Sequence, residues 1–193
     1  MLSEKFKDNN IILASSSPRR QELFKNLEVD FTIKVIPVEE NYSSSLKGEE
    51  ITTYLAKLKA AAFEGLISAN DIIITSDTIV WFKDRALEKP KNKQEAIEML
   101  ESLSGNKHAV YTSICIKTLN TQHVFSDTTI VHFKQLTADE INFYVENYNP
   151  FDKAGGYGIQ EWIGFIGVTR LEGSYLNVMG LPVHKLYEEL LKM

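Results

Sequence analysis

The sequence predicts an α/β fold built around a mixed sheet with helices on its faces. Three observations carry that expectation. Segments with apolar residues at helical spacing alternate with apolar, β-branched runs of strand length. Two of those runs, "HAVYTSICIKT" and "TQHVFSDTTIVHFK", sit close enough to pair as an antiparallel hairpin, so the sheet is not purely parallel. Neither period holds throughout the chain, which excludes all-α and all-β architectures. The 193 residues suffice for one sizeable unit, read as a single α/β domain over 1–193.

The elements follow in order. "NIILA" reads as a buried strand. Ser17 then fits a helix N-cap and Pro18 the first helical position, with Leu23, Phe24 and Leu27 on the apolar face. "VDFTIKVIPVEE" reads as the next strand, and "NYSSSLKGEE" at 41–50 is the most loop-like stretch. A helix is expected over roughly 49–69, where Ile51, Leu55, Leu58 and Ala62 recur on one face. "DIIITSDTIVWF" reads as a strand, bulged or turned at "TSD". "NKQEAIEMLESLSG" is a second helix, with Asn92 and Glu95 at capping-box spacing and Gly105 able to end it. After the hairpin, "TADEINFYVENY" is a helix with Thr137 and Glu140 at the same spacing. A glycine-rich stretch leads to an expected strand, "WIGFIGVTRLEG", and a last helix, "LPVHKLYEELLKM".

Composition narrows the function. Apolar residues are 44% and charged residues 24%, ordinary for a globular protein. The net charge of −5 argues against coating nucleic acid, so any basic cluster is local and needs a reason. The single cysteine, Cys115, excludes an internal disulfide; it reads as a small core residue and fits a reducing cytoplasm. The polar "MLSEKFKDNN" lacks the apolar centre of a signal peptide, and the longest apolar runs are strand-sized. A cytoplasmic protein with neither membrane nor nucleic-acid partners is the expectation.

Four stretches can carry chemistry. "LASSSPRR" puts Arg19 and Arg20 in the first turn of a helix, where the backbone dipole disfavours cations. A bound phosphate would reverse that penalty, with Ser15 adding a hydroxyl; a solvated basic turn is the bland alternative. Asp77 follows a strongly apolar run, and a carboxylate there needs a partner. It should lie at a strand end or inside the sheet, and reads as a metal ligand or general base, or else as a structural ion pair. Lys89 is held extended by Pro90 and can aim at a cleft, or be an ordinary surface lysine. "PFDKAGGYGIQ" allows close backbone approach, and the Gln160 amide can read a base edge, or the stretch is a plain connection. No Walker A loop, dinucleotide fingerprint, histidine metal pairing or G-x-S-x-G occurs. A hard cation on Asp77 with Glu39 or Glu40 suits the residues better than a histidine site.

Taken together, "LASSSPRRQELF", "SDTIV…EKP", "LSGNKHAVYT" and "DKAGGYGIQ…GSYLNVMGLPV" resemble the Maf family of nucleoside triphosphate pyrophosphatases, over residues 11 to about 190. The resemblance implies an inosine-triphosphatase-like fold, with an elongated central sheet and two lobes around a cleft. It implies hydrolysis of a nucleoside triphosphate to the monophosphate and pyrophosphate, a divalent cation such as Mg²⁺ or Mn²⁺, and a homodimer. By resemblance Asp77 matches the proton acceptor, and Ser15, Arg19, Arg20, Glu40, Lys59 and Lys89 match phosphate- and metal-handling positions. Asp77, Lys89 and Arg20 form the expected catalytic set, and Glu40 with Asp77 the expected metal ligands. Arg19, Thr78 and Gln160 match positions that separate subfamilies and are similar to the branch acting on dTTP and UTP. Glu161, Glu88 and Phe151 depart from the family's usual residues. The rivals are a non-catalytic nucleotide-binding regulator of cell division, and a nucleotidyltransferase, whose glycine-rich N-terminal loop is missing.

Overall fold

The computed structural model describes residues 1–193. Seven strands form one mixed sheet: β1 (Asn10–Leu13), β2 (Thr32–Ile33), β3 (Asp71–Phe82), β4 (Arg85–Leu87), β5 (Lys107–Lys117), β6 (Gln122–Phe133) and β7 (Val168–Glu172). The main order is β2-β1-β3-β5-β6-β7, with β4 also paired to β3. β1 runs parallel to β2 and β3, and the other ladders are antiparallel. The helices are α1 (Leu2–Lys5), α2 (Pro18–Lys25), α3 (Glu49–Ala61), α4 (Lys93–Leu103), α5 (Ala138–Tyr148), α6 (Trp162–Gly167), α7 (Tyr175–Val178) and α8 (Val183–Lys192).

β3 is the spine. Along one edge it pairs with β1 at 71–74 and with β4 at 80–82. Between those ladders, Thr75 to Ile79 have β5 on one side and no strand on the other. One face of β3 carries Ile72 and Ile74 at one end and Val80 and Phe82 at the other. The first pair joins a core of 15 buried residues under α1, α2 and α8. The second joins a core of 16 buried residues under α4, α5 and α6. Met179, just after α7, packs against both. The opposite face of β3 holds α3, where Ile51 and Leu55 pack on Ile79.

Local chemistry explains the ends of the elements. Ser17 caps α2 through its side chain, with Pro18 in the first turn. Asn92 accepts from the Glu95 N–H to cap α4, and Thr137 with Glu140 forms a complete capping box on α5.

Four expectations are corrected. The strand at 29–40 contracts to Thr32–Ile33, because only β1 borders it and both residues are exposed, leaving no sheet surface to bury. The helix at 49–69 ends at Ala61, followed by turns into Gly65 at φ +78. "TSD" is neither bulged nor turned: β3 pairs with β5 in unbroken register from Ile73 to Trp81. "WIGFIG" is helix α6 rather than strand. Gly164 and Gly167, one turn apart, bring it against the rest of the chain. A Cβ on Gly164 would lie 1.9 Å from the Ile159 carbonyl oxygen.

Candidate active site

The gap beside β3 opens into a cleft of about 610 Å³. Its walls come from the β1–α2 turn, the segment after β2, α3, the middle of β3, the β4–α4 turn and the glycine-rich turn after α5. Nine residues singled out from the sequence border it: Ser15, Arg19 and Arg20; Glu40 and Lys59; Asp77 and Thr78; Lys89 and Gln160; Glu39, the alternative to Glu40, does not.

Of the two placements expected for Asp77, a strand end or inside the sheet, it takes the second: it sits in the middle of β3 and is 6% exposed. Its side chain points toward α3, where Lys59 Nζ lies 2.6 Å from Oδ1. The same ammonium is 3.2 Å from Glu40 Oε2, so one lysine joins the two carboxylates expected to hold a cation. Burial pushes the Asp77 carboxyl above the usual carboxylate range, while the charges of Lys59 and Arg20 oppose that rise.

Thr78 is next along the strand and therefore faces the other way. There it meets Arg20, whose guanidinium is pinned on three sides. Nε donates to the Gly180 carbonyl at 2.8 Å, Nη1 to the Ser76 carbonyl at 2.8 Å, and Nη2 to Thr78 Oγ1 at 2.9 Å. The bond to Ser76 supplies a donor on the stretch of β3 that lacks a strand neighbour. Burial pulls the Arg20 pKa below the usual guanidinium value, and the Asp77 charge works against that. Two of its five N–H donors remain for a ligand once these three are subtracted.

Arg19 behaves differently. Its Nη1 reaches across the cleft to Asp152 Oδ2 at 2.7 Å. Asp152 also accepts from Lys153 Nζ at 2.7 Å. Burial raises the Asp152 pKa, but the bonds from Lys153 and Arg19 outweigh it and hold the carboxyl below its ordinary value. Lys153 is itself buried and lies 3.0 Å from Glu161 Oε1. Glu161 Oε2 accepts from Tyr144 Oη, and Tyr144 Oη accepts from the Gly158 N–H at 2.9 Å. Glu161 thus braces the turn that presents Gln160. Gly155, at φ +70, lets that turn approach Val80, whose Cγ2 would be 2.8 Å from any Cβ there.

Lys89 is exposed at the cleft mouth. The neighbouring Glu88 accepts a 2.6 Å bond from Tyr42 Oη, and burial, with that bond next, raises the Tyr42 pKa to about 12. Ser15 is buried and accepts from the Ser17 N–H at 3.2 Å, ordering the turn before α2.

Several residues at the site escaped the sequence reading as individuals. Tyr42 belongs to the loop-like stretch at 41–50, whose composition gives no sign of a site residue. Asn177 and Gly180 belong to "GSYLNVMG", whose local pattern does not single out either residue. Gly180, at φ +106, puts its carbonyl on Arg20. Its glycine before a proline-bearing turn is the signal that could have marked it.

No group of three or more His, Cys, Asp or Glu side chains is placed to hold a metal. Four carboxylates line the cleft, Glu40, Asp77, Glu88 and Asp152, and Lys59 lies between the first two.

The Maf-like protein family matches residues 10–193. The chain is 55% identical to a dTTP/UTP pyrophosphatase of Flavobacterium johnsoniae, covering 98% of each chain. It is 52% identical to a dTTP/UTP pyrophosphatase of Christiangramia forsetii, covering 100% of this chain and 98% of that one. Among solved structures it is similar in fold to the Staphylococcus aureus Ham1 protein, with a TM-score of 0.54 at 17% identity over 95% of this chain and 99% of the other.

Proposed function

This chain belongs to the Maf-like protein family, and from that premise we propose that it is a dTTP/UTP pyrophosphatase, releasing the monophosphate and pyrophosphate. The observation that carries the proposal is Asp77: a buried carboxylate whose pKa is raised by burial, set on an ammonium inside a cleft lined with cations. A general base works best when its pKa approaches the operating pH, and burial moves Asp77 that way.

In the proposed reaction, the oxygen of a water forms a bond to phosphorus as its proton passes to Asp77. The bond from that phosphorus to the oxygen bridging the α and β phosphates breaks, and its electron pair stays on the bridging oxygen, so the α phosphate leaves with the nucleoside as the monophosphate and the β and γ phosphates leave together as pyrophosphate. Arg19, Arg20, Lys59, Lys89 and Lys153 surround the cleft and compensate the charge of the triphosphate. Ser15 orders the turn that carries the two arginines. Gln160 offers one donor and one acceptor, the complement of the N3–H and adjacent carbonyl shared by thymine and uracil.

Asp77 and Glu40 are the residues that would hold Mg²⁺ or Mn²⁺. Two carboxylates supplemented by substrate phosphates suit Mg²⁺, which takes few protein ligands. When bound, such an ion supplies further positive charge against the triphosphate. No helix of the chain is long and apolar enough to cross a membrane, and a homodimer in the cytoplasm is proposed with the activity.

The test is a panel of canonical and modified nucleoside triphosphates with Mg²⁺ or Mn²⁺, with pyrophosphate and phosphate measured separately. Pyrophosphate, fastest from dTTP and UTP, is expected. Phosphate alone would refute cleavage between the α and β phosphates.

A further inference from the structure

Thr78 borders the cleft, but its hydroxyl is already engaged. Thr78 and Thr112 are directly opposite across the β3–β5 ladder, and their Oγ1 atoms are 2.9 Å apart. Thr112, fully buried, is also 3.0 Å from the Asn177 carbonyl oxygen. A carbonyl can only accept, and two oxygens at that distance without a proton between them repel. The single Thr112 proton therefore lies on the Asn177 carbonyl. Thr112 must then accept from Thr78, and the single Thr78 proton is spent pointing into the core. What Thr78 turns toward the cleft is a lone pair, and Arg20 Nη2 occupies it at 2.9 Å.

The far end of this chain is itself fixed. Asn177 is fully buried, and its Nδ2 donates to the Val110 carbonyl at 3.0 Å and to Thr129 Oγ1 at 2.9 Å. Its N–H is capped by Ser174 Oγ. The relay thus runs from β5 and β6, through α7, to a guanidinium at the cleft.

We propose that Thr112 and Asn177 are positioning residues for the pyrophosphatase reaction, fixing Arg20 through a one-directional hydroxyl relay that passes through Thr78. This inference rests on the function proposed above.

Thr112→Val keeps the shape of the side chain and removes both its donor and its acceptor. The Thr78 proton then has no acceptor in the core and turns toward Arg20 Nη2, displacing that bond. KM for dTTP and for UTP is expected to rise together by about tenfold, the scale of one lost buried hydrogen bond. The ratio of kcat/KM between the two nucleotides is expected to stay unchanged. Thr112→Ser, which keeps the hydroxyl, is expected to restore both KM values. A merely structural role would lower thermal stability in Thr112→Val with KM untouched. In parallel, NMR of the Arg20 side chain, without substrate, reads rotation of its guanidinium. That rotation is expected to be slow in the native chain and in Thr112→Ser, and fast in Thr112→Val.

An unchanged KM in folded Thr112→Val, or a change in the dTTP-to-UTP ratio without a common rise, overturns the relay. Unaltered Arg20 rotation overturns it as well. Absence of pyrophosphate release from the native chain would instead overturn the proposed function, and the rotation measurement would still decide the relay.

Discussion

Arg19 and Arg20 are neighbours in sequence with opposite circumstances. Arg20 is tied into the fold by three bonds, two of them to backbone carbonyls. Arg19 makes a salt bridge across the cleft to a carboxylate that is 57% exposed, the kind of pair a phosphate can outcompete. The sequence marks both as anomalous in a first helical turn, and only the family resemblance separates them, because local pattern carries nothing of their partners. Their partners lie 56 to 160 residues away. His108 gives a test at the same scale. It is 3% exposed, its Nε2 is 2.7 Å from Tyr157 Oη, and burial, with the His132 charge next, lowers its pKa to about 3. The unfolded chain binds a proton near pH 6.5, whereas the folded one resists it until about pH 3. Stability contributed by neutral His108 is therefore full above pH 6.5 and lost on acidification toward pH 3, by up to about 1.4 kcal/mol per pH unit. His108→Gln, which keeps a partner for Tyr157 and cannot ionise, is expected to flatten that slope in urea titrations from pH 7 to pH 4.

At the scale of elements, the helices with strong caps were legible. Ser17, Asn92 and Thr137 each cap the helix they announce. Removing the capping box with Thr137→Ala is expected to cost about 1 kcal/mol, read as a shift in urea midpoint. Strand β3 was legible as apolar but not as continuous, because "TSDT" resembles a turn in composition. Each of those polar side chains or carbonyls is satisfied by a distant partner. Thr75 Oγ1 donates to the Ala56 carbonyl, Arg20 to the Ser76 carbonyl, and Lys59 to Asp77. Local pattern carries none of that. Helix α6 failed for another reason: six residues of mostly apolar type do not distinguish the two periods. The close approach of Gly164 to the Ile159 carbonyl decides the matter. Gly164→Ala is expected to destabilise by about 2 kcal/mol or more through overpacking, measured by the same titration.

At the scale of the whole molecule, the sheet is interrupted where the chemistry is proposed. Two apolar cores sit at the two ends of β3, and the polar middle of that strand faces the gap between β1 and β4. The order of elements and the presence of one acid inside an apolar run were visible in the sequence. The gap itself was not, since it depends on β1 and β4 stopping short of each other along a third strand. The central claim is that the carboxylate placed in this gap takes the proton from water. The direct test is kcat for pyrophosphate release from dTTP by Asp77→Asn against the native chain, with circular dichroism confirming the fold. The account predicts a loss of about 10²- to 10⁴-fold. Native kcat in a folded Asp77→Asn would contradict it.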